Sequence, residues 1–317
     1  MGIASQAKSR HIADCLELAI LLESGAHKPG NVSVVTDFES TRYEHFLASA
    51  VASAPFFEKA AKQGIAVSRG EISISEVGVG QIMAECVENI NLWQHGGNTL
   101  LGTVILLSPL AVGAGMTHSE KGIYNVEALR RNLKLTVENT TPEDGVNLYK
   151  AIRLASPAGL GKVPELDVNS PDSAAKIMHE KISLYRIFKI AEGYDTVASE
   201  WVNDYRITFD FAYPRLIERI GKTEDLTTAI VEVFLKVLAE YPDSFIARKA
   251  GLERAKEVSV EASNILRLGG LGTRHGRESL SRFDQRLRRE SNLLNPGTTA
   301  DVIAAALALC VLRGYRP

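Results

Sequence analysis

The ten residues Asn98-Thr99-Leu100-Leu101-Gly102-Thr103-Val104-Ile105-Leu106-Leu107 leave little freedom to the architecture around them. They are apolar on most sides of a helix, and a helix without a polar face has to be surrounded by other elements. The flanking segments can supply that wrapping. Ile12, Cys15, Leu16, Ala19 and Leu22 recur at three-and-four spacing, as do Val77, Ile82, Met83, Cys86, Val87 and Ile90. So do Ile230, Val231, Phe234, Val237 and Leu238 further along. This is the period of an amphipathic helix with one buried stripe. Strand signals are almost absent, and the two candidates, 31–35 and 206–211, are short and isolated. The pattern predicts an all-α chain, a single compact multi-helix domain over 1–317 with roughly a dozen helices. The Gly- and Pro-rich stretch 156–171 is the one candidate seam.

Individual helices are expected near 5–24, 41–62, 73–93, 98–107, 126–135, 142–154, 172–192, 197–205, 215–220, 226–241, 252–266, 278–290 and 300–312. Pro109 is expected to bend or end the helix that Asn98 opens, because proline has no N–H for the preceding turn. Basic residues number 36 and acidic residues 38, so no basic footprint for nucleic acid or an anionic membrane stands out. The three cysteines, Cys15, Cys86 and Cys310, are far apart and form no C-x-x-C pair, which reads as buried thiols in a reducing compartment. The N-terminal segment is polar, and the longest apolar run, Val302 to Leu312, falls short of a membrane span of roughly 20 residues. A cytoplasmic protein is the expectation.

Familiar catalytic signatures are missing: no Walker loop, no H-E-x-x-H, no G-x-S-x-G elbow. Four polar segments stand out instead. They are His27-Lys28-Pro29-Gly30-Asn31, Gly96-Gly97-Asn98-Thr99-Leu100-Leu101-Gly102, Pro242-Asp243 through Arg248-Lys249-Ala250-Gly251, and Asn295-Pro296-Gly297-Thr298-Thr299-Ala300-Asp301. Three of them introduce a helix, where unpaired backbone N–H groups and the helix dipole favour an anion. Taken singly, each also reads as a plain cap, with Asn98 or Asp243 at an N-cap and Thr298 with Asp301 as a capping-box variant. The Arg-rich segment 282–289, interleaved with Asp284 and Glu290, reads as a solvated face.

In order and content the four segments resemble the triphosphoribosyl-dephospho-CoA synthase family. Lys28-Pro29-Gly30-Asn31-Val32 matches its Lys-Pro-Gly-x-Val loop, and Asn98-Thr99-Leu100-Leu101-Gly102 its Asn-Thr-His-x-Gly. Asp243-Ser244 through Arg248 and Gly251 matches an Asp-Thr-x-x-x-x-Arg-x-Gly element, and Asn295 through Val302 the closing Ser-Pro-Gly-x-x-Ala-Asp-Leu. The chain departs from the pattern in three places. Leu100 replaces the histidine, 36–46 lacks a Gly-Ala-His-x-Asp-Met element, and 159–167, with Lys162, Glu165 and Asp167, replaces a Gly-Ile-Arg-Gly-Glu element.

The resemblance implies a transferase that moves the triphosphoribosyl group of ATP to the 2′-hydroxyl of 3′-dephospho-CoA and releases adenine. ATP is then the substrate, Mg²⁺ its companion, and dephospho-CoA or a related acceptor the other small-molecule partner. A homodimer is left open. Such a glycosyl transfer needs a carboxylate beside an oxocarbenium-like centre and cations or helix N-termini around the phosphates. Asp243 and Asp301 are the candidates for general base and for metal binding. Lys28, Arg248 and Lys249 are the candidates for phosphate contacts. Gly30, Asn31, Asn98, Thr99, Gly102, Asn295, Gly297 and Thr298 complete the expected nucleotide site. Two alternatives stay open: a related transferase using ATP or a phosphoribosyl donor on another acceptor in cofactor biosynthesis, and a non-catalytic helical nucleotide-binding protein.

Overall fold

The structure is a computed structural model that describes residues 3–161, 165–222 and 225–317. Lys162, one of the residues replacing the mid-chain Gly-Ile-Arg-Gly-Glu element, lies outside the described residues, as does the centre of the candidate seam. Among the described residues the chain forms fifteen α-helices and a single two-stranded hairpin. They are α1 (Ile3–Gly25), α2 (Tyr43–Ser68), α3 (Val79–Trp93), α4 (Leu101–Met116), α5 (Val126–Glu138), α6 (Pro142–Ala155), α7 (Asp172–His179) and α8 (Leu184–Ala191). The series continues with α9 (Thr196–Val202), α10 (Tyr213–Ile220), α11 (Leu226–Glu240), α12 (Ser244–Ala250), α13 (Leu252–Arg267), α14 (Arg274–Asn292) and α15 (Gly297–Leu312).

Two helices lack a polar face and both lie at the centre. All but two residues of α4 are buried, and α15 is buried from Val302 through Leu312. They touch each other, and α2, α3 and α5 wrap α4 while α1, α10 and α11 wrap α15. One continuous cluster of buried side chains therefore runs from Ile12 to Leu312. A small satellite, Tyr149, Ile177 and Ile187, sits beneath the 156–171 stretch. That stretch is fastened back on α6 by Tyr149, whose hydroxyl donates to the Leu166 carbonyl, and by Arg153, whose Nη1 donates to the Val168 carbonyl at 3.1 Å.

Helices α2 and α4 approach closely, and small residues make it feasible. A Cβ at Gly64 would stand 2.0 Å from the Val112 carbonyl oxygen, and one at Gly115 would stand 2.2 Å from that of Ala61. Neither position tolerates a methyl without the helices moving apart.

Several local expectations are corrected. Pro109 neither ends nor visibly breaks α4, because its missing donor is replaced from outside. The Ile105 carbonyl, left without its partner four residues on, accepts instead from the Trp201 indole Nε1–H at 3.2 Å. The Tyr205 hydroxyl donates to the next carbonyl, Leu106, at 3.1 Å. The 73–93 helix is interrupted: a single 3₁₀ turn, Ile74–Glu76, precedes Gly78 in the left-handed region, and α3 starts at Val79. The 172–192 helix is two, split by Lys181 at φ +52°.

Neither strand candidate is a strand. Residues 31–35 are irregular apart from one bridge between Ser33 and Thr36, and Ile207–Ala212 is a π-helical turn. The π turn has a local cause. The buried Glu200 carboxylate accepts from the backbone N–H groups of Ile207 (2.7 Å) and Thr208 (2.8 Å), first-turn donors that have no carbonyl of their own helix to reach, and so fixes where the turn starts. The hairpin, Ser119–Glu120 with Ile123–Tyr124, is too short to show as alternation.

Gly64→Ala is expected to destabilise the fold by about 1–3 kcal/mol, because the helices must separate. Gly193→Ala, with no heavy atom within 4 Å of its added Cβ, is expected to be neutral. Thermal unfolding of both variants followed by circular dichroism checks the pair.

Candidate active site

The four polar segments of the sequence meet at one place, the first turn of α15. Asn295, just before that turn, donates from Nδ2 to the Gly30 carbonyl (2.7 Å) and to Asn31 Oδ1 (3.2 Å). Thr299 gives its backbone N–H (2.7 Å) and hydroxyl (2.8 Å) to Asp243 Oδ2. Asp301 Oδ1 accepts from the Thr103 hydroxyl at 2.6 Å, in the first turn of α4. Ser244 also reaches α15, its hydroxyl donating to Thr298 Oγ1 at 3.2 Å.

Asp243 is buried, and its carboxylate is fully committed. Oδ1 accepts from the backbone N–H groups of Phe245 (2.9 Å) and Ile246 (3.0 Å), while Oδ2 takes both donors of Thr299. Burial raises its carboxyl above the ordinary value, and the Thr299, Ile246 and Phe245 bonds oppose that rise. A carboxylate offers about four lone-pair positions, so none is left for a metal or a proton acceptor's work. Asp243 therefore clasps the N-termini of α12 and α15 together, and the expectation of a metal-binding base at this position gives way to that role.

Asp301 differs. Its side chain keeps partial access to the surface, only Oδ1 takes the Thr103 bond, and Oδ2 faces the Cα of Gly102. A Cβ at Gly102 would stand 2.1 Å from that oxygen, so glycine is what lets the carboxylate lie over the start of α4. Burial, followed by the negative charges of Glu23 and Asp243, pushes its carboxyl up to about 8, against the Thr103 bond.

Glu23, at the end of α1, is the nearest acid that pattern reading passed over, having been taken as part of an ordinary helix. It is buried, and burial raises its carboxyl above the usual range while Lys28 opposes. Lys28 is buried too, at 1% exposure, with its Nζ on the carbonyls of Glu23 and Ala26 (3.0 Å) and 3.0 Å from Glu23 Oε1. Two of the three ammonium donors go to carbonyls, and the carboxylate balances the charge. Lys28 neutralises Glu23 and pins the loop; it does not offer a hand to phosphate.

Gly30 holds φ +73°, and a Cβ there would meet Leu287 at 2.9 Å, so α14 closes directly over this loop. Asp284 Oδ1 accepts the Gly30 N–H at 2.7 Å, Arg288 Nε donates to both Asp284 oxygens (2.9 and 3.0 Å), and Arg288 Nη2 donates to the Asn31 carbonyl. The Arg-rich segment is thus only partly a solvated face: two of its charges are built into the loop.

Arg248 and Lys249 both lie over the Phe245 ring, 5.1 and 4.1 Å from its centre. Arg248 Nη1 donates to Asp195 Oδ2 at 3.2 Å, and Lys249 Nζ to the Asn292 carbonyl at 3.0 Å. Burial lowers the Lys249 amine to about 8, with Asp243 opposing. Gly297 lies against the same ring, its added Cβ 3.0 Å from Phe245. Asn98 is exposed and caps α4 at one remove, its Oδ1 accepting the Leu101 N–H at 3.1 Å. Thr99 shares a 2.7 Å hydrogen bond with Ser49 of α2. No set of three or more His, Cys, Asp or Glu side chains that could hold a metal ion occurs among the described residues.

A family model described as ATP:dephospho-CoA triphosphoribosyl transferase matches residues 9–317. The chain belongs to that family. A solved structure from Archaeoglobus fulgidus, described provisionally as a triphosphoribosyl-dephospho-CoA synthase, is 23% identical and has a TM-score of 0.63. The match covers 87% of this chain and all of that one, and carries the fold alone. The search of curated proteins found no match. Membership of a transferase family agrees with the resemblance drawn from the four segments. It does not depend on the histidine that Leu100 replaces, a side chain that is buried here.

Asp243→Asn is expected to turn an amide toward donors that need an acceptor, and so to cost about 1–3 kcal/mol. Chemical denaturation with far-ultraviolet circular dichroism measures it. An unchanged midpoint would remove the clasp role.

Proposed function

We propose that this chain moves the triphosphoribosyl group of ATP onto the 2′-hydroxyl of 3′-dephospho-CoA, with Asp301 as the carboxylate at the reacting centre. In that reaction the acceptor oxygen bonds to ribose C1′ as the bond from C1′ to adenine N9 breaks. The bonding pair leaves with adenine, and the hydroxyl proton passes to a base. Adenine takes up a proton on release.

The observation that carries the reading is Asp301 itself. It is a carboxylate with Oδ1 held by the Thr103 hydroxyl and Oδ2 set over Gly102, at the point where the first turns of α4 and α15 meet. A triphosphate lying there would face two helix N-termini, each a source of backbone donors and partial positive charge. A base works best when its pKa lies near the working pH, and a carboxyl at about 8 meets that condition. Asp243, by fastening α12 to α15, would act as a positioning residue, with Asn31 and Asn295 holding the loop beside it.

Mg²⁺ fits the donor set in a limited way. Asp301 Oδ2 lies over Gly102, and Glu23 Oε1 has only the Lys28 ion pair. Mg²⁺ characteristically takes one or two carboxylates and completes its shell with phosphate oxygens and water. Asp301 and Glu23 are the residues that would hold it, and it would supply positive charge against the phosphates. Lys249 remains a phosphate-contact candidate because its amine makes one protein hydrogen bond, to Asn292. Arg248 is a weaker one, being shared with Asp195.

The direct test incubates the protein with ATP, Mg²⁺ and dephospho-CoA and follows free adenine by chromatography. Acceptor-dependent adenine supports the proposal. ATP binding by calorimetry with no adenine from any acceptor would favour the non-catalytic alternative.

Asp301→Asn should lower turnover by about 10²–10⁴-fold, the range for loss of a general base. The same carboxyl bears on stability in the metal-free protein. The folded carboxyl titrates above its ordinary 3.8, so its proton favours the fold; that contribution is complete below 3.8 and lost as pH rises through about 8. Asp301→Asn should therefore raise the unfolding midpoint relative to wild type at pH about 9 and have little effect at pH about 4. An equal effect at both would show that the aspartate is not held against its own charge.

A further inference from the structure

Arg288 is the charged group that neither the motif pattern nor the capping logic assigns. It rises from α14 against the Lys28–Asn31 loop with its guanidinium largely enclosed, at 15% side-chain exposure. A guanidinium has five donors in a planar fork. Nε is taken by Asp284 and Nη2 gives one bond to the Asn31 carbonyl. Nη1 is shielded from solvent and has no hydrogen-bond partner. A buried donor pair left empty is costly, and native proteins rarely leave one without a use.

The surroundings say what kind of partner that nitrogen suits. Asp284 already accepts the Gly30 N–H and both contacts from Arg288 Nε, so its charge is engaged in fixing the fork's orientation. His27 lies beside the pair, its Nε2 3.8 Å from Asp284 Oδ2 and its Nδ1 3.0 Å from Ser33 Oγ. Burial depresses the His27 imidazole, and the positive charges of Arg288 and Lys28 add to that effect, while Asp284 opposes. Lys28 is paired with Glu23 and Arg288 with Asp284, so what sets Arg288 apart is the donor its fork leaves open. Lys28 is not a partner for an anion, since it is buried at 1% exposure between two carbonyls and the Glu23 carboxylate. Arg288 keeps an unpaired donor, Nη1, on a side chain that still reaches the surface.

We infer that Arg288 contacts the oligophosphate of a nucleotide substrate, held in aim by the Asp284 carboxylate. The inference rests on the reading of the α15 first turn as the transfer site. The loop that Arg288 braces is the one Asn295 ties to that turn. Planar forks match phosphate oxygens in pairs, which an ammonium does not reproduce. Two sources offer this chemistry: the triphosphate of ATP and the diphosphate of dephospho-CoA.

Inorganic tripolyphosphate is the probe that does not require turnover. Calorimetry should detect its binding to wild-type protein and a loss of about 10–100-fold in Arg288→Met, the factor carried by a charge-assisted hydrogen bond. Arg288→Lys should recover only part of the affinity, because it restores charge without the fork. Arg282→Gln, exposed on the same helix, should bind as wild type does, which separates a site from general attraction. In the adenine-release assay, a raised KM for ATP with kcat kept would identify the triphosphate, and a raised KM for dephospho-CoA the diphosphate. If Arg288→Met fails to fold, the lysine variant carries the test. A folded variant that binds tripolyphosphate like wild type, or a wild-type protein that binds neither tripolyphosphate nor ATP, overturns the inference. Tripolyphosphate binding without acceptor-dependent adenine would leave Arg288 standing and remove the proposed reaction instead.

Discussion

One carboxylate organises the functional end of the molecule. Asp243 takes two N–H groups from the start of α12 and two donors from Thr299 at the start of α15, all out of contact with water. A buried negative charge is tolerable only when it is this completely bonded. The bonds fix the direction from which α15 enters the core. Because α15 is apolar on every side, nothing along its buried length could correct a wrong entry. Asn295, Thr299 and Asp301 hold their places because the turn that carries them is locked at this point.

Beside this satisfied charge lies a deliberately unsatisfied group. The charges of Glu23 and Asp243 and partial burial bear on Asp301, while Lys28 is the buried counter-ion of Glu23. Strain of this kind concentrates where a ligand is meant to relieve it. Stability and activity are opposed here at a single side chain.

The fold was legible because it depends on periodicity. Helices with one buried stripe announce it every three or four residues, and the all-round apolar pair declares its centrality by lacking any polar face. Where the reading failed, the cause was a contact distant in sequence. Pro109 breaks a helix only if nothing replaces its donor, and Trp201, 96 residues from the carbonyl it serves, cannot be associated with it from pattern. The 206–211 segment looked extended because its β-branched and aromatic residues suit a strand, but a buried glutamate took its donors. The four polar segments were found because helix ends have a local chemistry of their own. Glu23, Asp284 and Arg288 were not, since a single charge within a helix has the same local appearance whether it faces water or a loop 254 residues away in sequence.

The indole that repairs α4 has an optical consequence. The chain carries two tryptophans, and they report on different places: Trp201 is fully enclosed and bonded to the Ile105 carbonyl, whereas Trp93 stands exposed at 57% just before the Gly96–Gly102 segment. Emission from the first senses the integrity of the helical centre, and emission from the second senses the solvent at the end of α3, where the chain enters the Gly96–Gly102 segment. A red shift confined to one or the other would distinguish a loosened core from a rearranged loop, with no label attached.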